Sequence, residues 1–102
     1  MLRITEVRVS LRDDAKLKAF ASITLDDCFV IRGLKVIEGN NGRMFVAMPS
    51  RKRPDGRHQD LAHPITKEMR QHIEEIIITR YDHEKANGTR PTVLEEADLY
   101  ND

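Results

Sequence analysis

Residues 17–25, Leu17-Lys18-Ala19-Phe20-Ala21-Ser22-Ile23-Thr24-Leu25, decide the fold. Leu17, Ala19, Ala21, Ile23 and Leu25 fall at every second position. That period puts all five on one side of a pleated strand, whereas a helix would scatter them around its axis. Phe20 falls on the other side, so the strand is expected to be covered on both faces. Upstream, Leu2 and Ile4 alternate with polar residues, and so do Val7, Val9 and Leu11. The parity changes between Ile4 and Val7, which predicts a β-bulge at Thr5–Glu6. Arg12–Ala15 reads as a turn. Downstream, Asp26-Asp27 reads as a second turn and residues 28–37 as a third strand, with a bulge or close backbone approach at Gly33. Glu38–Gly42 contains the Gly and Asn residues that tolerate positive φ, and a short strand at Met44–Met48 follows. Connections this short join antiparallel neighbours, so the sheet is expected to be a meander.

Beyond Pro64 the period changes. Thr66 is placed to cap a helix whose apolar positions, Met69, Ile73, Ile76, Ile77 and Tyr81, are spaced by three and four. The run Ile76-Ile77-Ile78 is β-branched, but the surrounding Lys, Glu, Met, Arg and Gln favour helix. Asn87-Gly88 is a suitable stop. Thr92-Val93-Leu94-Glu95 fits a capping box for a short acidic last helix. The expected fold is α+β: a small antiparallel sheet of four to five strands, one long helix and the short acidic one. Residues 1–88 form a single domain in this reading, with the sheet in 1–62 and the helix at about 66–86. Residues 89–102 form an acidic C-terminal segment. One helix covers one face of a sheet. The second face, or an open edge, needs polar residues or a partner. Ile78 points away from the helical stripe by periodicity. Both points favour a homodimer.

The 102 residues balance 17 Lys and Arg against 17 Asp and Glu, but the signs are segregated. All 17 cations lie in residues 1–90 with 13 of the acids. Residues 91–102 hold Glu95, Glu96, Asp98 and Asp102 and no cation. A single cysteine, Cys28, excludes an intrachain disulfide and fits a reducing cytoplasm. No apolar run approaches the ~20 residues of a membrane helix, and the N-terminus lacks a signal-peptide core. The chain is expected to be soluble and cytoplasmic, with no membrane partner.

The basic stretch is Met48–Asp60, MPSRKRPDGRHQD, which holds Arg51, Lys52, Arg53 and Arg57. In an extended segment Arg51 and Arg53 project to one side, about 6.6 Å apart, and Lys52 to the other. Pro54-Asp55-Gly56 then turns the chain and returns Arg57 beside the cluster. Duplex DNA carries a charge about every 1.7 Å along its axis, so such a tip could meet several phosphates. Surface arginine runs are more often simply solvated. Two features favour binding here: the cluster sits between an apolar strand and a turn, and the acidic residues are gathered elsewhere. The acidic end could also fold back onto the tip as a competitor. The helix has no continuous basic face, because Glu68, Glu74 and Glu75 interrupt Lys67, Arg70 and Arg80.

Other sites are weaker. His63, before Pro64, reads as a structural hydrogen-bonding residue rather than a catalytic one. His72 and His83 lie three turns apart, too far to share a metal on one helix. No H-E-x-x-H or C-x-x-C spacing occurs. Cys28 has no evident base beside it and reads as a buried thiol at the start of a strand. Gly39–Gly42 lacks the lysine of a phosphate loop and leads into a strand, not a helix. No nucleophile–base–orienter set emerges, so the chain is expected not to be an enzyme and to need no cofactor, metal or small-molecule substrate.

Several motifs in order are similar to one family. They are Ile4-Thr5-Glu6-Val7-Arg8, Ala21-Ser22-Ile23-Thr24-Leu25-Asp26, Gly39-Asn40-Asn41-Gly42, Phe45–Ser50, Arg51-Lys52, Pro54-Asp55-Gly56, and Asp60 with Ala62-His63-Pro64-Ile65. Together they resemble the stage V sporulation protein G family of septation proteins, closely over residues 2–65 and loosely over the helix. The resemblance implies a small bacterial homodimer with a sheet followed by a helix and no enzymatic activity. It also implies binding of DNA, and of RNA in some members, in regulating septation and gene expression. The family extends well beyond spore formers, so sporulation itself does not follow. The nucleic-acid role carries over to Arg51 and Lys52. Arg53 departs from the family, where that position is often uncharged, and the Gly42–Phe45 spacing is one residue longer than usual. The alternative from another class is a protein-interaction module whose basic loop docks an acidic partner.

Overall fold

The computed structural model describes residues 2–87. Four strands, β1 (Ile4–Leu11), β2 (Leu17–Leu25), β3 (Phe29–Glu38) and β4 (Met44–Ala47), pair antiparallel in the order β1-β2-β3-β4. A separate two-stranded hairpin, β5 (Ser50–Lys52) and β6 (His58–Asp60), follows. Helix α1 (Lys67–Ala86) completes the fold. The architecture is α+β, with the expected meander. The hairpin was not foreseen as paired strands. The expected acidic helix lies outside the described residues.

The register explains the irregularities. On β1 the pairing slips between Ile4 and Glu6, so Thr5 is the extra residue of the predicted bulge. Its hydroxyl accepts the Asp27 N–H at 3.0 Å, and Asp26 Oδ1 accepts the Arg3 N–H at 3.0 Å. The bulge therefore ties the start of β1 to the β2–β3 turn. Asp26 and Asp27 have φ of +49° and +57°, and the Cys28 N–H closes the turn onto the Leu25 carbonyl at 3.0 Å. Two successive left-handed residues match the strand twist of a tight hairpin, and Asp tolerates them better than most side chains. This turn corrects one expectation: Cys28 is its last residue, not the first of β3, and its thiol is exposed. Gly33 sits at φ +80°, where the β2–β3 register slips between Ala21 and Ile23. That is the predicted bulge.

The core lies between one sheet face and α1. Val9, Ala21, Ile23, Leu34, Val36 and Val46 turn inward from the sheet, and Ile73, Ile77 and Tyr81 meet them from the helix. The helix packs against β1, β3 and β4. It starts where the sequence predicts: the Thr66 hydroxyl accepts the Met69 N–H at 3.1 Å, satisfying one of the donors a helix start leaves open. Asn87 is its C-cap. A second correction concerns the helix face. Ile78 is half-buried and packs against the core, because the helix sinks far enough for a flanking position to reach the sheet. Ile76 lies instead beside Val7, Glu75, Thr79, Arg80 and His83 in an open groove.

Among the described residues, no helix is long and apolar enough to cross a membrane.

Candidate nucleic-acid interface

Chain direction positions the cationic tip. Met48 and Pro49 are buried at the end of the sheet, and the Leu61 N–H donates to the Pro49 carbonyl at 2.7 Å. This clamp closes the base of the hairpin. Above it, Ser50 pairs with Asp60, Arg51 with Gln59 and Lys52 with His58. At the tip the Arg53 N–H donates to the Arg57 carbonyl at 2.7 Å, and the Gly56 N–H to the Arg53 carbonyl at 2.9 Å. Gly56 has φ +87°, a conformation glycine adopts without the clash a Cβ would bring. The Gly39–Arg43 turn repeats the plan, with Gly42 at φ +79°. Backbone hydrogen bonds thus hold the tip in shape, while every residue from Arg51 to Leu61 stays exposed.

The four predicted cations do not stand alike. Asp55 takes up Arg57: Oδ2 accepts from Nε at 3.1 Å and lies 3.0 Å from Nη2, and Oδ1 accepts the Arg57 backbone N–H at 3.0 Å. Arg57 therefore shapes the turn, and its charge is largely matched. Arg51, Lys52 and Arg53 make no ion pair or side-chain hydrogen bond among the described residues. The interface thus has three open cations and one committed one. Pairing adds two residues the sequence reading did not name. Gln59 lies across from Arg51 and His58 across from Lys52, at the close spacing of cross-strand neighbours. Both donate hydrogen bonds suited to phosphate or base edges. Only the register, centred on Pro54-Asp55-Gly56, brings them to the cations, so composition alone could not find them.

Among the described residues, no group of three or more His, Cys, Asp or Glu could hold a metal ion. His63 Nδ1 lies 3.2 Å from the Pro64 carbonyl oxygen, a local hydrogen bond of the kind expected at the helix entrance. An apolar pocket of about 120 Å³ lies between the sheet and the start of α1, lined by Ile23, Leu25, Met48, Pro49, His63 and Met69 among others. His63 is its one ionisable side chain.

A four-stranded meander backed by one helix and extended by a rigid cationic hairpin defines a small α+β protein that presents charge on a stiff arm. A family model, SpoVG, matches residues 2–83, and the chain belongs to that family. A relative from Anaeromyxobacter sp. (strain Fw109-5), named "Putative septation protein SpoVG", is 51% identical over 90 residues, covering 88% of this chain and 92% of its own. One of the same name from Anaeromyxobacter sp. (strain K) is 47% identical over 102 residues, covering 99% and 100%. A third, from Macrococcus caseolyticus, is 52% identical over 86 residues, covering 83% and 74%.

Proposed function

We propose that the chain is a non-enzymatic nucleic-acid-binding protein that acts in septation, gripping DNA or RNA through the β5–β6 hairpin. The observation that carries this is the exposure of Arg51, Lys52 and Arg53 on a hydrogen-bonded tip, with no ion pair to any of them among the described residues. Such cations displace the condensed counterions of a polyanion on contact. The septation role rests on the names of the relatives. A homodimer would present two tips to one duplex, and light scattering on the intact protein tests it. In a mobility shift with labelled duplex DNA at low salt, Arg51→Ala, Lys52→Ala and Arg53→Ala combined should weaken the complex at least about tenfold while leaving the scattering mass unchanged. An unaltered shift would refute the assignment of the site.

A second reading is favoured by Leu61 and Ile65, which are 64% and 90% exposed just past the hairpin. Apolar side chains beside cations suit an acidic protein partner more than a phosphate backbone. Leu61→Ser with Ile65→Ser separates the two: nucleic-acid binding should survive that pair, and docking of a protein partner should not.

A further inference from the structure

Two turns of the chain are built on one plan. In Arg53-Pro54-Asp55-Gly56-Arg57 the first N–H donates to the fifth carbonyl at 2.7 Å and the glycine N–H to the first carbonyl at 2.9 Å, while Asp55 Oδ1 accepts the Arg57 N–H at 3.0 Å. In Gly39-Asn40-Asn41-Gly42-Arg43 the same three bonds measure 2.8, 3.0 and 3.0 Å, the last to Asn41 Oδ1. Gly42 and Gly56 take φ of +79° and +87°. Arg43 thus stands where Arg57 stands, and Asn41 where Asp55 stands. The difference that matters is the acid. Asp55 gives its second carboxylate oxygen to the Arg57 guanidinium. Asn41 has an uncharged NH2 in that place, a donor that cannot hold a cation. Arg43 is exposed and makes no ion pair or side-chain hydrogen bond among the described residues. Glu38, the acid just before the turn, is paired with Lys18 at 3.6 Å. The β1–β2 turn lies at the same end of the sheet, where the Glu38 N–H donates to the Lys16 carbonyl at 2.9 Å. It sets Arg12 and Lys16 against Asp13 and Asp14, so it adds no net negative charge.

We infer that Arg43 is a second phosphate contact of the molecule, at the opposite end of β4 from the hairpin, so that one chain holds a duplex at two points. The inference rests on the reading of the hairpin as a nucleic-acid grip and extends it. Strand β4 is an edge of the sheet and runs from Arg43 toward the hairpin. Lys52 follows Arg43 by nine positions, so their backbones lie at most about 30 Å apart. A duplex completes one turn in about 34 Å, so this spacing lets both tips reach it within a single turn. The hairpin brings a cluster of three open cations, and the β3–β4 turn brings one guanidinium on a hydrogen-bonded frame. A guanidinium suits a phosphate because its planar N–H fork meets two oxygens at once. The contact reads no base. It fixes the direction in which the arm meets the duplex.

Salt titrations of duplex DNA binding, read by fluorescence anisotropy on the full chain, test this. Arg43→Ala should lower the log–log slope by about 0.9 for each chain engaged, and Arg43→Lys should keep it, because a lysine still displaces a counterion. Asn41→Asp should mimic Arg43→Ala, because it gives the β3–β4 turn the carboxylate by which Asp55 takes up Arg57. In the Arg43→Ala background, Asn41→Asp should change the slope no further. The inference falls if Arg43→Ala leaves the slope unchanged while the combined Arg51→Ala, Lys52→Ala and Arg53→Ala variant lowers it; the hairpin then acts alone. It falls too if Arg43→Lys loses as much as Arg43→Ala, which would give Arg43 a role in shaping the turn. An Asn41→Asp slope equal to that of the unaltered protein also overturns it. If neither Arg43→Ala nor the combined variant moves the slope, the hairpin reading falls with it.

Discussion

Asp55 sets the division of labour at the hairpin tip, because it holds Arg57 by two side-chain contacts and one backbone contact. Asp55→Asn keeps an oxygen for the backbone N–H and releases the guanidinium. It should tighten DNA binding and steepen the salt dependence by about 0.9 in log–log slope for each hairpin engaged, since one more phosphate contact becomes available. Fluorescence anisotropy against salt checks this. Tyr81 carries a separate prediction. Its hydroxyl is pushed above the ordinary value of 10.0, chiefly by burial; Lys18 opposes the shift, and Asp82 and Glu38 add to it. In the unfolded chain the phenol releases its proton first, so above about pH 10 the native state holds more protons than the unfolded one. Stability should be full below that pH and fall as pH rises through it. Tyr81→Phe should flatten that alkaline decline in urea titrations. At this scale the sequence misleads at Cys28 and Ile78. An Asp-Asp pair can take two left-handed positions and push the next residue into the turn. Helical periodicity gives the direction of a side chain but not how deeply the helix sinks.

Elements differ in how much of them the sequence reveals. Strand β2 is legible because its alternation is unbroken, and the bulges on β1 and β3 are legible from a parity change and a lone glycine. Helix α1 is legible from its Thr66 cap and its stripe. The β5–β6 hairpin is not legible as strands. Ser50-Arg51-Lys52 and His58-Gln59-Asp60 carry no apolar side chain, so no apolar alternation marks them, and their pairing depends on the turn between them. The candidate site was thus proposed from its charges, but its hydrogen-bonded shape and its second strand were not legible. The helix carries a stability prediction. Ile77 is fully buried against the sheet, so Ile77→Ala should cost about 2–5 kcal/mol, whereas Thr66→Ala, which removes only a cap, should cost about 1 kcal/mol. Chemical denaturation of both variants tests this, and a larger loss at Thr66 would contradict the packing described.

For the whole molecule, the neutral formal charge is a poor guide, because unlike charges are unevenly spread along the sequence. Three open cations stand on an arm clamped at Pro49–Leu61, while residues 91–102 hold four acids and no cation. In the proposed function that separation is what would let a chain with no net charge meet a polyanion, and it is the centre of the account. The most direct test is the salt dependence of duplex DNA binding for the intact protein and for the combined Arg51→Ala, Lys52→Ala and Arg53→Ala variant. The account predicts a linear fall of log K with log salt, and a slope smaller in the variant by up to about 2.7 for each hairpin engaged, at 0.9 per lost phosphate contact. Equal slopes for the two proteins would contradict it.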